Sequence, residues 1–576
     1  MDYADVVWSV TEEPLVQVSE LGGLGGTNSQ DNLALRKARG AFFTPPIIVE
    51  FLTAFAARGD RTAKILDPTC GDGEFLIAAA QRLAGLGCDT ASLDDQLFGV
   101  DIHGPSLAAA STRLEEAGFD ARLLERDLFD VPTPMQLGCP LPEMDAVVGN
   151  PPFVRYQNNG LSRKRSASAA LEQGVRLSGL ASSWASVLVH SSAFLRPEGR
   201  LAMVLPAELL TVNYAEPIRR WLRRRFAGVT LVMFERLQFE DALEKVVLVL
   251  AHGSGGCDSF SLAYLQDADE LALLGFADGV GVTPADEGKW TDLLLPMQQR
   301  RLFRAVTEEH FVSLGYYGQP ELGTVTGAND YFALSDEVRQ HYNLGDDEVV
   351  PLCPPGTRHL KGLSFTKGDW ANLRDAGERV WLLRPNAEPV SAGLRRYIRH
   401  GETLDVPEAY KCQIRTPWWR PPNIPAPDLF FTYMSHRYPR LIANNAGVSF
   451  VNSMHGLRLT RDKRLASTAL PLLCLNSVTM LGAEVHGRSY GGGLLKMEPR
   501  EAALLPVPSS EHLQSAWTIL KDERAQLDRL LRSGTWTNVV KRIDEVLLHD
   551  AMGLSLKAVE DLHSAAALLR ERRLQG

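Results

Sequence analysis

An amide, two prolines and an aromatic side chain, Asn150-Pro151-Pro152-Phe153, follow directly on the apolar run of residues 144–149. Each proline ring fixes φ at about −65°, so the loop after this predicted strand is rigid. The Asn150 side-chain oxygen and the Pro151 carbonyl are two acceptors that could hold both N–H groups of an exocyclic ring amine. That would favour a pyramidal nitrogen with an available lone pair. An ordinary Asn-Pro turn at a strand end is the alternative interpretation.

The aromatic residue of this stretch extends the same hypothesis. A base that is to be modified at a ring amine must first leave the duplex, and it then needs a face to stack on. Phe153 offers such a face directly beside the two acceptors. The stretch therefore predicts a pocket for a flipped base, with adenine as the first candidate.

A second chemical feature is the segment Asp67-Pro68-Thr69-Cys70-Gly71-Asp72-Gly73-Glu74, which links a predicted strand to a predicted helix. Glycines at this point let the backbone approach a ligand closely. A dinucleotide-binding turn would carry a third glycine in Gly-x-Gly-x-x-Gly, and only Gly71 and Gly73 fit. Acidic side chains around them repel phosphate and suit a ligand with a sulfonium and an ammonium group. The turn favours S-adenosylmethionine over NAD.

Acidic residues also end the next two predicted strands. Asp101, in Gly-Val-Asp-Ile, could accept both hydroxyls of a ribose, and Asp127, in Arg-Asp-Leu-Phe-Asp, could accept from an adenine amino group. Each aspartate taken alone is equally well explained as a loop or helix cap. Three aspartates at successive strand ends make that coincidence less plausible, and they predict one cofactor pocket.

The elements that must position these residues run from residue 36 to about residue 255. Apolar strand-like runs alternate there with helical patterns, which predicts an α/β fold with a doubly wound, mainly parallel sheet. In such sheets ligands bind at the carboxyl ends of the strands, where the aspartates and Asn150 would meet.

Composition sets the broader limits. The chain has 576 residues with 45% hydrophobic and 23% charged residues, which is typical of a soluble globular protein of several domains. No apolar run of membrane-spanning length and no leader pattern is visible, so we expect a cytoplasmic protein. The 7 cysteines are scattered and never spaced Cys-x-x-Cys, which predicts neither a disulfide framework nor a metal site.

Several segments in order carry a resemblance to a known family: GAFFTPPIIVEFL, ILDPTCGDGEFL, GVDI, RDLFD and DAVVGNPPF. They are similar to the motifs of the gamma-class DNA adenine-N6 methyltransferases, the Taq-type and Eco57I-type modification enzymes. The resemblance covers residues 36 to about 255, and Asn-Pro-Pro-aromatic is its most specific part. It implies the class I fold of S-adenosylmethionine-dependent methyltransferases. Phe153 stands where the family often has tyrosine, which keeps the stacking face and removes a hydroxyl.

The resemblance also implies roles for individual residues. Catalysis would fall to Asn150, Pro151, Pro152 and Phe153, and a second aromatic, Phe239, would stack on the flipped base. The cofactor would contact Thr44, Pro45, Asp67, Pro68, Thr69, Cys70, Gly71, Gly73, Asp101, Ile102, Asp127, Leu128 and Pro152.

The net charge of the whole chain is −10, so DNA-binding residues are expected in segments that are locally basic. Residues 351–440 hold 14 Lys plus Arg against 8 Asp plus Glu, and the stretch KCQIRTPWWRPPN sets cations beside Trp418 and Trp419. Those tryptophans could equally be core residues. The loop after Asn150 adds a further basic group. The predicted DNA-binding residues are Arg155, Arg163, Lys164, Arg165, Lys411, Arg415, Arg420 and Arg488.

A second basic cluster, which includes Arg219 and Arg220, lies on a predicted helix, and a solvated helix face is its favoured interpretation. The predicted organisation is a lead-in over 1–35, a methyltransferase domain over 36–290, an α+β target-recognition region over 291–508 and a helical region over 509–576.

The expected function is site-specific methylation of adenine N6 in double-stranded DNA, as the modification component of a restriction-modification or related defence system. A separate endonuclease or other defence subunit is a possible partner, and no membrane is expected. Two alternatives stay open. One is methylation of cytosine N4, and the other is a non-catalytic nucleic-acid-binding subunit that retains the cofactor fold.

Overall fold

The computed structural model describes residues 44–154, 160–179, 181–234, 246–275, 279–284, 288–385, 390–490 and 492–575. The chain divides into two compact units, Met1–Gly288 and Lys289–Gly576. Among the predicted site residues, Arg155 and Phe239 lie outside the described residues.

The described part of the first unit is built on a nine-stranded sheet. Its strands are β1 Ile65–Asp67, β2 Leu97–Asp101, β3 Arg122–Glu125, β4 Met144–Gly149, β5 Leu195–Pro206, β6 Gly228–Phe234, β7 Val246–His252, β8 Phe260–Leu265 and β9 Val280–Val282. The strand order is β3-β2-β1-β4-β5-β7-β6-β8-β9. Strands β1 to β5 pair in parallel, and β7 is antiparallel to both of its neighbours. The predicted doubly wound, mainly parallel sheet is confirmed.

The register of this sheet brings the predicted site residues to one edge. Asp67 at the end of β1 pairs with Gly99 of β2, and Leu66 pairs with Val147 of β4. Because the strands are parallel, their carboxyl ends lie side by side, and the loops that follow them meet there.

The helices of the described part of this unit are α1 Pro46–Ala57, α2 Glu74–Gly85, α3 Gly104–Glu116, α4 Gly160–Glu172, α5 Ser183–Ser191, α6 Glu208–Thr211 and α7 Glu216–Arg225. The core between sheet and helices is aliphatic, with Ile48 and Leu52 of α1 and Leu76 of α2 fully buried against sheet residues such as Val148.

One residue of α7 differs from the sequence prediction of a solvated basic face. Arg219 is 2% exposed, and its guanidinium donates to the carbonyls of Leu209, Val212 and Gly288. Buried backbone carbonyls need hydrogen-bond donors, and one buried guanidinium supplies several N–H groups at once. Arg219 is therefore a structural residue, while Arg220 remains exposed and pairs with Glu216.

The second unit mixes short strands and helices. Its strands are β10 Phe311–Ser313, β11 Pro320–Leu322, β12 Ala333–Leu334, β13 Val349–Pro351, β14 Ser364–Phe365, β15 Trp381–Leu383, β16 Leu429–Phe431, β17 Met434–Ser435, β18 Leu441–Asn444, β19 His455–Leu457, β20 Arg488–Tyr490, β21 Leu494–Lys496 and β22 Pro506–Pro508. They form a five-stranded sheet in the order β11-β19-β16-β18-β14 and three smaller ones. This agrees with the predicted α+β character of the carboxyl-terminal half.

The helices of the second unit are α8 Met297–His310, α9 Leu314–Tyr317, α10 Asn329–Phe332, α11 Asp336–Tyr342, α12 Lys367–Asp375, α13 Ala392–Thr403, α14 Tyr410–Gln413, α15 Lys463–Leu473, α16 Ser477–His486, α17 Pro499–Ala503, α18 Ser510–Leu520, α19 Arg524–Arg532, α20 Trp536–Ile543 and α21 Leu556–Gln575. A π-helix, Asp544–Ala551, lies between the last two. Arg573 of α21 forms a buried ion pair with Glu484 of α16, with an Nε–Oε2 distance of 2.8 Å.

Within the described ranges, no single helix has both the length and the apolar character needed to cross a bilayer. Helices α15 and α16 meet these criteria only as a pair, and they are bent by 87° relative to each other.

Candidate active site

The glycine turn between β1 and α2 has two glycines with different tasks. Gly73 precedes α2 with φ 87°, and a Cβ at this position would lie 3.0 Å from Ala110 Cβ of α3. Gly73 is thus required by the close packing of the two helices. Gly71 has φ 53°, and a Cβ there would meet nothing within 4 Å. The turn therefore opens at Gly71 onto free space in which a ligand can lie.

Asp101 at the end of β2 ties this turn to the neighbouring strand. Its Oδ2 accepts a hydrogen bond from the Gly71 amide at 2.9 Å, and its Oδ1 accepts one from the His103 amide at 2.8 Å. Each carboxylate oxygen can accept more than one hydrogen bond. Asp101 shapes the turn and still has acceptor capacity for a pair of ribose hydroxyls.

Asp67 is the buried acid of the site. It is 2% exposed, and its Oδ1 accepts from the Thr69 amide at 3.1 Å. Burial, with the charge of Asp101 and then of Asp72 added, raises the pKa of Asp67 to about 8. The Asp67 carboxyl is consequently mostly protonated at neutral pH, and a nearby cation would favour its ionised form.

The other acids of the turn are already paired. Arg113 of α3 contacts Asp72 with an Nη1–Oδ2 distance of 3.1 Å, and its Nη2 forms an ion pair with Glu74. The single positive charge of Arg113 offsets one of these two negative charges, so the pair attracts a cationic ligand less than two free carboxylates would. The negative charge available to a cationic ligand comes from Asp101, and from Asp67 when the cation favours its ionised form.

The remaining predicted cofactor residues line the same edge. Thr69 Oγ1 is buried without a hydrogen-bond partner among the residues described, so it can still serve a ligand. Cys70 is 5% exposed, and burial raises the pKa of its thiol, which therefore stays protonated. Pro68 is buried behind them, and Ile102 is 70% exposed, an apolar surface that a flat ring could cover.

Asp127 lies two residues beyond Glu125, the last residue of β3. Its Oδ1 caps the short turn Leu128–Asp130 by accepting from the Phe129 amide at 3.1 Å. In the part of the chain that the structure describes, its Oδ2 accepts no hydrogen bond, so this oxygen can accept from an amino group. Leu128 is 5% exposed and closes this end of the site.

Asn150 is connected to the segment before α1. Its Nδ2 donates to Thr44 Oγ1 at 3.2 Å, and Thr44 is 8% exposed. Pro45 follows Thr44 as the residue that caps α1. With Nδ2 engaged, the Asn150 Oδ1 is the free end of the amide. No hydrogen bond to this oxygen or to the Pro151 carbonyl occurs within the described ranges.

Sequence reasoning missed the residue that supports this loop from behind. Ser183, at the start of α5, is bonded to Pro152 and to Val154. A serine near the start of a predicted helix is common as a cap, so the sequence carried no specific signal for this role. Arg113 was missed for the same reason, since an arginine on a helix is usually solvated. Pro151 is buried, whereas Pro152 and Phe153 are partly exposed at the site.

Comparisons with known proteins bear on this site. A family model described as N-6 DNA Methylase matches residues 31–255, and one described as Type II methyltransferase M.Eco57I, C-terminal domain, matches residues 287–548. The chain belongs to the Eco57I-type N6-adenine DNA methyltransferases. The first match contains every described element of the glycine turn and the Asn150 loop, and the second contains most of the second unit.

Individual relatives agree with the family. This methyltransferase is 26% identical over 500 residues to Type II methyltransferase M.XamI of Xanthomonas campestris pv. amaranthicola, covering 84% of this chain and 88% of that protein. It is 29% identical over 530 residues to Type II methyltransferase M.PaeR7I of Pseudomonas aeruginosa, with 82% and 86% covered. The solved structure of the Type IIL restriction-modification enzyme MmeI in complex with DNA has the same fold, with a TM-score of 0.51, 13% identity, and 94% and 80% coverage.

The basic residues predicted beside the target base lie on α4 of the methyltransferase. Arg163, Lys164 and Arg165 are all exposed there. Arg165 pairs with Asp130 at 2.9 Å, whereas no ion pair of Arg163 or Lys164 is found among the residues described. The two unpaired cations are the better candidates for phosphate contacts, because a paired cation must first give up its carboxylate.

The predicted DNA-binding residues of the second unit also differ in exposure and in the groups they contact. Lys411 is exposed, with Nζ 5.4 Å from the Tyr410 ring centre. Arg415 is half-buried and donates to the Thr326 carbonyl at 2.6 Å. Arg420 is half-buried, 5.1 Å from the ring centre of Trp419.

The open question about the tryptophans has a structural answer for one of them. Trp419 is 9% exposed and belongs to a buried cluster with Tyr331 and Leu382, as a core residue does. Trp418 packs on the same cluster.

Arg488 of β20, another predicted DNA-binding residue, forms an ion pair with Glu501. Its side chain is still 41% exposed.

Proposed function

We propose that this enzyme transfers a methyl group from S-adenosylmethionine to N6 of an adenine rotated out of duplex DNA. The observation that carries the proposal is the orientation of Asn150. Its Nδ2 is engaged by Thr44, while its Oδ1 and the neighbouring Pro151 carbonyl are left as acceptors at the sheet edge that also bears the glycine turn.

The residues at this edge fit the cofactor. Gly71 opens onto free space, and Thr69 Oγ1 is a buried polar atom without a partner among the described residues. Asp101 would hold the ribose, Asp127 and Ile102 would receive the adenine ring, and Asp67 would face the positively charged part. When bound, S-adenosylmethionine supplies an electrophilic methyl group on a sulfonium.

The chain's own contribution to the chemistry is to shape the amine. The lone pair of an adenine N6 is delocalised into the ring, so the neutral amine is a weak nucleophile. Asn150 Oδ1 and the Pro151 carbonyl would accept its two N–H groups and favour a pyramidal nitrogen. No strong base is needed at this stage, because the nitrogen becomes acidic only after it is methylated. The extra proton on the methylated nitrogen is then lost to solvent.

The target base would stack on Phe153, which is partly exposed beside Asn150. Phe239, whose predicted role is the opposite face of the base, lies outside the described residues. Arg163 and Lys164 would bind phosphates next to the flipped nucleotide, and Arg155, which the structure does not describe, would extend this contact. Lys411, Arg415, Arg420 and Arg488 would contact DNA from the second unit.

The biological setting we propose follows from the relatives' names. M.XamI and M.PaeR7I are named Type II methyltransferases, the modification enzymes of restriction systems. We infer that this enzyme protects sites that a separate endonuclease cuts. Residues 291–508 would then supply target recognition, and residues 509–576 a helical support.

The test is transfer of labelled methyl groups to duplex DNA, followed by digestion to nucleosides. N6-methyladenine is the expected product. N4-methylcytosine would contradict the assignment of the base, and binding without incorporation would contradict catalysis.

The matched variants are Asn150→Ala and Asn150→Asp. Alanine should abolish transfer and leave S-adenosylmethionine binding unchanged, since Asn150 contacts the amine. Aspartate keeps the shape but replaces Nδ2, so it loses the donor to Thr44 and should also be strongly impaired. A fully active Asn150→Ala enzyme would show that this loop does not carry the reaction.

A further inference from the structure

One residue, Ser183, anchors the far end of the loop that carries Asn150. The Ser183 hydroxyl donates a hydrogen bond to the Pro152 carbonyl and accepts one from the Val154 amide at 3.0 Å. The Ser183 amide donates to the Val154 carbonyl at 2.9 Å. Three polar groups of the loop, the Pro152 carbonyl and the amide and carbonyl of Val154, therefore hydrogen-bond to one residue. That residue lies 31 positions beyond Pro152.

The loop has few other ways to be held. Pro151 and Pro152 have no N–H group, so neither amide can be used as an anchor. Carbonyls and the amides after Pro152 must do this work. The Ser183 hydroxyl donates to the Pro152 carbonyl and at the same time accepts from the Val154 amide.

This anchor also sets the direction of the Pro151 carbonyl. Between the Pro151 and Pro152 carbonyls lie only two backbone torsions, the φ and ψ of Pro152, because the peptide units themselves are planar. The ring fixes φ, so ψ alone is free. Once Ser183 holds the Pro152 carbonyl, the Pro151 carbonyl can turn about little more than one torsion.

The anchor itself is rigid. Ser183 is 2% exposed, and every residue of α5 is buried. The next residue, Trp184, is fully buried and donates from Nε1 to the Tyr214 hydroxyl at 3.2 Å. Movement of Ser183 would disturb this packing, so the loop is attached to a closely packed helix.

We propose that Ser183 is a positioning residue of methyl transfer, which acts by aiming the Pro151 carbonyl at the substrate amine. The inference rests on the proposed function, and it adds a residue that contacts neither cofactor nor base. Effective attack requires the reacting groups within a few tenths of an ångström of the productive geometry. A displacement of about 1 Å can cost roughly 100-fold in rate.

The experiment compares Ser183→Ala with Ser191→Ala in the full chain. Ser191 is a matched control, since it lies on the same helix and is 0% exposed. Among the residues that the structure describes, its hydroxyl bonds only to the Leu188 carbonyl of that helix, at 3.3 Å. Single-turnover methyl transfer is measured with saturating S-adenosylmethionine and a DNA duplex that the wild type methylates. We expect Ser183→Ala to be about 10- to 100-fold slower. Its KM for S-adenosylmethionine should stay within about twofold of wild type, as should the rate of Ser191→Ala.

Two conservative variants separate positioning from folding. Ser183→Thr retains the hydroxyl and should recover most of the rate. Ser183→Cys keeps the size of the side chain but offers a weaker donor and acceptor, so its rate should lie between those of alanine and wild type. Should Ser183→Ala not fold, the cysteine variant carries the comparison.

The outcomes are distinct. A Ser183→Ala or Ser183→Cys rate equal to that of Ser191→Ala overturns the inference. So does a loss of rate matched by an equal loss of cofactor affinity, which would indicate a general structural defect. A wild-type protein that forms no N6-methyladenine would contradict the proposed function instead, and Asn150→Ala tests that function independently of Ser183.

Discussion

Asn150 Nδ2 donates to Thr44 Oγ1 at 3.2 Å, although 106 positions separate the two residues. The bond links the segment before α1 to the loop after β4. An unrestrained asparagine amide could present either its oxygen or its nitrogen to a ligand. Thr44 engages the nitrogen, and the oxygen is the end that can accept from an amine.

Thr44→Val should therefore slow methyl transfer while the protein stays folded. Valine has nearly the shape of threonine but cannot accept from Asn150, and one hydrogen bond of about 1 kcal/mol corresponds to roughly a fivefold change in rate. Thr44→Ser keeps the hydroxyl and should stay near wild type. The measurement is single-turnover transfer at saturating cofactor, and equal rates for the valine and serine variants would contradict the role given to this bond.

Asp67 should make the first unit less stable as the pH rises. Its folded pKa of about 8 lies above the ordinary value of 3.8, so the folded state binds the proton more tightly. The stability this proton contributes is fully present below pH 3.8 and is lost as the pH rises through about 8. Asp67→Asn removes the titration. Thermal unfolding at several pH values between 5 and 9 should show that the stability of the variant relative to wild type increases as the pH rises. A difference in stability that does not change with pH would refute the assignment.

Asp101 and Asp72 should differ sharply in their effect on cofactor affinity. Asp101→Asn removes charge from an acceptor that also shapes the turn, so we expect at least a tenfold loss of S-adenosylmethionine affinity. Asp72→Asn removes a carboxylate that Arg113 already balances at 3.1 Å, and affinity should change by no more than about twofold. Equilibrium binding to both variants distinguishes the two, and equal losses would mean that the contact with Arg113 does not reduce the effect of the Asp72 charge.

Arg163 and Lys164 should account for more DNA binding than their neighbour. Each phosphate contact contributes about 0.9 to the slope of log affinity against log salt. Replacing both by alanine should reduce that slope by up to about 2, while Arg165→Ala, which breaks the pair with Asp130, should change it less. Titrations of a duplex at several salt concentrations measure the slopes. If Arg165 proves the dominant cation, the pairing seen at α4 does not persist on DNA.

The buried pair Arg573–Glu484 should be essential to the second unit. Their side chains are 5% and 2% exposed, and removing one partner leaves the other as an uncompensated buried charge. Arg573→Leu should cost about 3 to 5 kcal/mol of stability, and the double variant with Glu484→Leu should recover part of it. Denaturant unfolding checks the first number. A double variant less stable than Arg573→Leu would show that the arginine's bonds to the Gly493 and Arg437 carbonyls matter more than its charge.

Much of the first unit could be predicted from its sequence. Alternating apolar strands and helical patterns predict a parallel sheet, and Asn150-Pro151-Pro152-Phe153 with the Asp67 turn predicts where its chemistry lies. The prediction of the sheet is confirmed because strand period, proline and glycine restrict the backbone locally. The place of the chemistry stays a prediction.

Other features were decided only by tertiary structure. The sequence shows that Asp72, Glu74, Arg165 and Arg219 are charged, but whether each charge is free, paired or buried depends on contacts with residues far along the chain. The same applies to Thr44 and Ser183, which hold the two ends of the Asn150 loop. A hydroxyl is too common for its position in the sequence to indicate a role, and only the packing of α1 and α5 against this sheet edge brings these two into contact with the loop.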